Sequence, residues 1–167
     1  MPSTADPAPV FLDAGIFIGA LLSGDPRHEE ARSLVESARR GDITACTTAS
    51  VLSEVYGALT WEGAQPSHDP TEAAEAVRLL VEAPSAIRIL DEGYKVAPLA
   101  LEMAAVHGLR ARRVHDARHA AAALVAGVHL ACTYDWEDWR AFEADGLRIA
   151  GPESTHTRLA AARSGAP

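Results

Sequence analysis

Short, wholly apolar runs alternate along the chain with longer segments whose apolar positions recur every three or four residues. Val10–Leu12 suits a buried strand, and Ile16–Leu22 an apolar helix, with Asp13 and the small pair Ala14-Gly15 between them. Ser23-Gly24-Asp25-Pro26 breaks that helix, and residues 28–40 place Ala31, Leu34, Val35 and Ala38 on one helical face. Ile43–Cys46 predicts a strand; Thr47 or Thr48 then caps a helix running to about Trp61. Residues 63–70 form a loop, 71–82 an amphipathic helix, 86–90 a strand, and 92–107 a helix closed by Gly108. Leu109–Val114 is a short basic link, and Asp116–Ala126 an Ala-rich helix ended by Gly127. The strand 129–133, a short helix in WEDWRAF and a last strand at 147–150 complete the pattern. Residues 1–8 predict a disordered start, and 151–167 a tail with at most a turn or two of helix.

Strands that alternate with helices predict a parallel sheet covered on both faces. Asp13 then ends a strand at the carboxyl edge of that sheet, where open α/β sheets bind their ligands. The same residue type also caps helices well, so position alone leaves Asp13 two readings. Other acids stand at comparable junctions: Glu54 early in a helix, Asp116 at a helix start, Asp135 just past a strand. With Val51 at zero and about 100° per residue, Glu54 falls at roughly −60°, on the border of the buried face. A rim residue that snorkels to solvent would occupy the same place.

Composition narrows the classes. A chain of 167 residues forms one domain with a core of its own. The net charge of −8 excludes a long basic footprint on nucleic acid, so any such contact is local or helped by metal. Lys95 is the only lysine, and arginines cluster at Arg110, Arg112 and Arg113. Two cysteines, Cys46 and Cys132, make neither a disulfide scaffold nor a zinc knuckle. With no signal-peptide pattern and no membrane-length apolar run, the chain is expected to be soluble and cytosolic.

Carboxylates from separate elements meeting at a sheet edge suit a hard divalent cation, Mg²⁺ or Mn²⁺. Such an ion activates water, or clamps the attacking and leaving oxygens of an in-line displacement at phosphorus. Phosphodiester hydrolysis is the chemistry that fits.

On these residues the chain resembles the PIN-domain ribonucleases, and within them the VapC-type toxins of bacterial toxin–antitoxin pairs. The resemblance rests on VFLDAGIFIGALL with Asp13, TASVLSEVYGAL with Glu54, VHDARHAAAALVAGVHLACTYDWEDW with Asp116 and Asp135, and the closing GLRIA. It covers residues 9–150 and implies a three-layer α/β fold, helices flanking a parallel sheet of order 3-2-1-4-5. It implies Mg²⁺ or Mn²⁺ held by Asp13, Glu54, Asp116 and Asp135, with Asp138 at an additional acid position and Trp139 where the family usually has Phe. It also implies an RNA substrate, a cognate antitoxin and a homodimer. Gly15 departs from the family, which usually has Asn or Ser two residues after the first acid; a hydrogen bond behind the metal ligands would be missing. With that strand order, Cys46 and Cys132 flank the first strand at about two strand spacings, ~9.6 Å, beyond disulfide reach.

Other readings of these residues stand beside it. His115-Asp116-Ala117-Arg118-His119 imitates the H-E-x-x-H pattern of zinc hydrolases, but its Asp is one methylene short and a third ligand is lacking. A noncatalytic interaction module could keep the same fold. Alternatively, His115 joins Arg112, Arg113 and Arg118 in a local patch that faces RNA phosphates, with His119 either in it or merely solvated. A phosphoaspartate hydrolase would want an acid at Gly15, and a receiver domain a lysine after a late strand; neither is present.

Overall fold

The computed structural model describes residues 8–155, so the expected disorder over 1–7 and the tail beyond 155 lie outside the described residues. Five strands, β1 (Val10–Leu12), β2 (Ala45–Thr48), β3 (Arg88–Leu90), β4 (Leu130–Cys132) and β5 (Arg148–Ala150), form one sheet in the order β3-β2-β1-β4-β5. All pairings are parallel. Helices α1 (Ala14–Leu21), α2 (His28–Arg39), α3 (Ala49–Thr60), α4 (Pro70–Val81), α5 (Val96–Val106), α6 (Val114–Val125) and the short α7 (Trp136–Trp139) cover it. The expected α/β architecture and strand order are both present. Among the described residues no helix is long and apolar enough to cross a membrane.

This order places the site. The chain builds outward from β1 through β2 to β3, then crosses back to lay β4 on the other side of β1. The connections leaving β1 and β4 therefore diverge, opening a crevice at their carboxyl ends. Asp13 leaves β1 there, its amide donating to the Cys132 carbonyl of β4 at 3.1 Å.

Several element boundaries differ from the sequence expectation. Strand β2 runs on through Thr48, because Thr47 and Thr48 pair with Ile89 and Leu90 of β3. The Thr47 hydroxyl also donates to the Leu12 carbonyl at 2.9 Å, tying β2 to the end of β1. Thr48 still caps α3 by accepting from Val51 N at 3.4 Å. Helix α5 begins at Val96 rather than Glu92, since the Glu92 carboxylate is drawn away to Ser50. Pro152–Thr155 form a helical turn in which the buried Thr155 returns both its amide and its hydroxyl to the Gly151 carbonyl.

The core is continuous across both faces of the sheet. On one side Phe11 of β1 stacks on Trp139 with ring centroids 5.9 Å apart, and Trp139 meets Phe142 edge-on at 5.7 Å. Helix α6 buries Ala117 and Ala120–Ala123, and these small side chains let it lie close to β2 and α5. Cys46 and Cys132 are buried free thiols on the strands either side of β1, as expected. Burial pushes both up to about 12, which leaves them packing groups rather than nucleophiles.

Trp139 joins α7 to the sheet, so its loss should be felt by the whole domain. Trp139→Ala is expected to lower unfolding free energy by about 3–5 kcal/mol in denaturant titration, and Trp139→Phe by markedly less. A loss under about 1 kcal/mol for the alanine variant would show that the aromatic stack does not carry the core.

Candidate active site

The four acids implied by the sequence come from four different elements. Asp13 ends β1, Glu54 lies in the second turn of α3, Asp116 in the first turn of α6, and Asp135 just beyond β4 at the start of α7. A cavity of about 420 Å³ at the carboxyl edge of the sheet is lined by Glu54, Asp116, Asp135 and Asp138, with Arg112, Arg113 and His115 on its rim. Asp13 lies beneath, close enough for its charge to act on Asp116.

Asp13 is 6% exposed and occupies the N-cap position of α1, yet its side chain makes no capping hydrogen bond. Its Oδ2 instead accepts from the Thr133 hydroxyl at 2.8 Å. Thr133 in turn accepts from the amide of Asp135 at 3.0 Å, so one hydroxyl holds two of the four acids. It supplies a hydrogen bond to Asp13 from the opposite side of the sequence to Gly15. A side chain at Gly15 would have room, since an added Cβ meets nothing nearer than the Tyr134 ring at 3.8 Å.

Charge crowding dominates the electrostatics. Burial, and then the neighbouring Asp13, push Asp116 up to about 7; Glu54 and Asp138 add to the rise and His119 opposes it. Burial likewise raises Asp13, against the hydrogen bond from Thr133 and the nearby Ala14 amide dipole. Asp138 is more exposed and forms an ion pair with Arg113 at 2.9 Å. Arg113 and Arg112 reach the rim on a turn that begins at Ala111, whose φ of 51° is left-handed and costly for a residue with a Cβ.

His119 is not solvated, and it does not reach zinc together with His115. It is fully buried, with Nε2 2.8 Å from Glu54 Oε1 and Nδ1 3.2 Å from Thr48 Oγ1. His115, one turn earlier, is exposed on the cavity rim. Both ring nitrogens of His119 are thus engaged by protein, which removes the basis of the zinc-hydrolase reading. Arg118 turns away from the rim and pairs with Glu92 at 3.3 Å, so it does not line the cavity with Arg112 and Arg113.

Sequence reasoning missed Glu92 and Thr133. Thr133 stood in plain view two residues before Asp135, but only the contact across β1 and β4 shows its use. Glu92 carried no local signal. It follows β3, accepts from the amide and hydroxyl of Ser50, and lies 3.7 Å from His119 Nδ1. Burial pushes its carboxyl up, but the contacts from His119 and Ser50 outweigh this and draw it down to about 2. Burial disfavours charge on His119, and the flanking Glu54 and Glu92 overcome it, raising the imidazole to about 9.

Against known families, the PIN-domain model matches residues 10–143. The chain belongs to the PIN-domain family. Three solved structures share its fold. VapC20 of Mycobacterium tuberculosis, a toxin that cleaves the sarcin–ricin loop, is 22% identical with a TM-score of 0.63, covering 83% of this chain and 96% of its own. FitAcB of Neisseria gonorrhoeae is 16% identical with a TM-score of 0.59, covering 86% and 98%. A FitAB structure bound to an IR36 DNA fragment is 16% identical with a TM-score of 0.56, covering 86% and 94%. No curated protein sequence matches this chain.

Among the described residues no three His, Cys, Asp or Glu side chains close into a ready-made metal cage. The donor set nevertheless fits a hard cation. It is all oxygen, open on one side, and contains a carboxyl, Asp116, that burial and neighbouring acids push up to about 7, a cost a bound cation would relieve. Mg²⁺ needs only one or two protein carboxylates beside water.

Linkage gives the pH dependence its sign. Asp116 binds its proton more tightly folded, near 7, than unfolded, near 3.8, so its contribution to stability falls as pH rises from about 4 to 7. Metal-free Asp116→Asn should therefore be more stable than wild type at pH 7.5 and should lose that advantage toward pH 4. Thermal melts across that window check it; an Asn variant that is less stable at pH 7.5 would contradict the crowding.

Proposed function

We propose that the protein is a metal-dependent endoribonuclease acting in the cytoplasm as the toxin of a toxin–antitoxin pair. The observation that carries this reading is the convergence of Glu54, Asp116 and Asp135, from three elements, on one cavity beside an arginine rim, with Asp13 buried beneath and acting on Asp116. Asp13, Asp116, Asp135 and Glu54 would hold Mg²⁺ or Mn²⁺, with Asp138 at the margin. When bound, the ion supplies a Lewis acid for water and phosphate oxygens.

The protein's own groups do the rest. Arg112, Arg113 and His115 face the cavity and can hold the phosphates on either side of the scissile bond. Thr133 fixes Asp13 and Asp135 relative to one another. Two aromatic rings flank Asp135 in sequence: Tyr134, with the Arg27 guanidinium 4.3 Å from its centroid, and the half-exposed Trp136, with that of Arg140 at 5.5 Å. Tyr134 packs against the core, whereas the exposed Trp136 ring is the kind of face that stacks the unpaired bases single-stranded RNA offers. With both nitrogens of His119 engaged, no pair of free imidazoles lines the cavity among the described residues to activate and protonate a ribose oxygen. Water is therefore the nucleophile, and the products carry 5′-phosphate and 3′-hydroxyl ends.

RNA cleavage should need Mg²⁺ or Mn²⁺ and stop with EDTA. Asp13→Asn, Glu54→Gln, Asp116→Asn and Asp135→Asn should each cut the rate by orders of magnitude without unfolding the chain, and Asp138→Asn should do less. Full activity in Asp116→Asn, or 2′,3′-cyclic phosphate ends, would overturn the mechanism.

The partner reading starts from the same cavity. An anionic pocket accepts a guanidinium, which pairs bidentately with carboxylates, so the antitoxin should place an Arg among the acids in competition with metal. The apolar part of such a segment needs a groove. Helix α1 lies against both α2 and α3, and an open apolar groove of about 560 Å³ is bounded by α1, α3 and their loops rather than by α2. Ile18, Leu22, Pro26, Ala58 and the exposed Trp61 line it. Changing the antitoxin's plug Arg to Ala should abolish inhibition, while Trp61→Ala should weaken co-purification; inhibition that survives loss of the Arg would sink the plug. A second copy of the chain is the other expected partner, and sedimentation equilibrium would test it.

A further inference from the structure

The one fully buried imidazole among the described residues belongs to neither the rim nor the core alone. His119 lies between Glu54, on the cavity, and Glu92, behind it. Its Nε2 faces Glu54 Oε1 at 2.8 Å, its Nδ1 faces Thr48 Oγ1 at 3.2 Å, and Glu92 Oε1 lies 3.7 Å from Nδ1. One ring face stacks on Phe11, centroids 6.2 Å apart and planes 27° from parallel. Each support is itself fixed: Thr48 caps α3, Glu92 is held by Ser50 and Arg118, and Phe11 is packed against Trp139.

Glu54 differs from its neighbours in the site. Its side chain is 41% exposed on a helix rim, where a glutamate has several rotamers open to it. Asp13 is fixed by burial and Thr133, and Asp135, exposed just past β4, is anchored on Thr133 through its backbone amide. Among the described residues the one hydrogen bond shown for the Glu54 carboxylate is that from His119. The ring cannot swing away without losing Thr48 and its stack on Phe11, so the direction of the Nε2–H is set by the core.

We infer that His119 is a positioning residue: a buried strut that fixes the Glu54 carboxylate over the cavity, with Thr48 and Glu92 as its footing. Groups behind a metal ligand that fix its orientation typically contribute 10- to 100-fold in metal affinity or activity. The inference rests on reading the cavity as a cation site. It assigns the second histidine of the H-D-A-R-H segment to a task that is neither zinc ligation nor phosphate binding.

Two measurements on the whole chain test it. In the metal-free protein labelled with ¹⁵N-histidine, the His119 Nε2 proton should be visible as a slowly exchanging signal, and Glu54→Ala should abolish it. In Mn²⁺ titrations followed by calorimetry, His119→Leu should weaken binding by about ten-fold, and His119→Gln, which can still present an N–H to Glu54, should recover most of that loss. In a Glu54→Ala background, His119→Leu should change Mn²⁺ affinity by less than about two-fold, because the interaction it serves is already gone. A purely structural histidine predicts the reverse: losses that add in full, with Gln no better than Leu. That result, or an Nε2 signal indifferent to Glu54→Ala, overturns the inference. If His119→Leu does not fold, the NMR comparison and the Gln variant decide. RNA cleavage assayed in parallel separates the two readings: Mn²⁺ binding with the coupling intact but no cleavage defeats the nuclease reading alone. Metal-dependent cleavage without coupling defeats the strut alone, and a wild type that binds no Mn²⁺ defeats both.

Discussion

Negative charge packed into a half-buried crevice is the constraint from which much of this molecule follows. Burial removes the water that would otherwise screen Asp116 and Asp13; Asp13 and Glu54 raise the cost of ionising Asp116 further, and Glu54 that of Asp13. A chain could avoid that cost by spreading its acids over the surface. This one instead places them on four elements whose positions are fixed by the sheet and the core. Positive charge is supplied around them in graded fashion: Arg113 on Asp138 at the margin, His119 on Glu54 beside the cavity. The centre, around Asp116, is left short of a cation.

The fold meets this constraint through small residues and short strands. β1 and β4 contribute only three residues each, so their ends, and therefore Asp13 and Thr133, stand side by side. The alanines of α6 let that helix approach the sheet closely enough for His119 to reach both Thr48 and Glu54. Bulkier residues there would hold α6 farther off and leave the imidazole buried without partners, a costly state for a polar ring. Packing and site are thus one arrangement: Phe11 is at once a core residue, a neighbour of Trp139 and the platform under His119.

The sequence by itself determined the layer architecture, because alternating apolar strands and amphipathic helices have few stable packings. It also marked the acids that the fold brings to the carboxyl edge of the sheet, since each stands just past a strand or early in a helix, and it marked Cys46 and Cys132 as core. It misplaced the ends of β2 and α5, where pairing with β3 and the pull of Ser50 on Glu92 outweighed local preference. It left Asp13 divided between cap and ligand, and His119 among zinc ligand, phosphate contact and solvated surface.

Tertiary structure alone showed that the Asp13 side chain does not cap its helix and that His119 is buried with both ring nitrogens engaged. Thr133 meets Asp13 across 120 residues of chain, Glu54 meets His119 across 65, and Ser50 meets Glu92 across 42. Periodicity reports which face of an element is buried, because that depends on the repeat of the element itself. It carries nothing about which polar atom waits on the facing element, because a hydrogen bond is fixed to within a few tenths of an ångström by the packing of both.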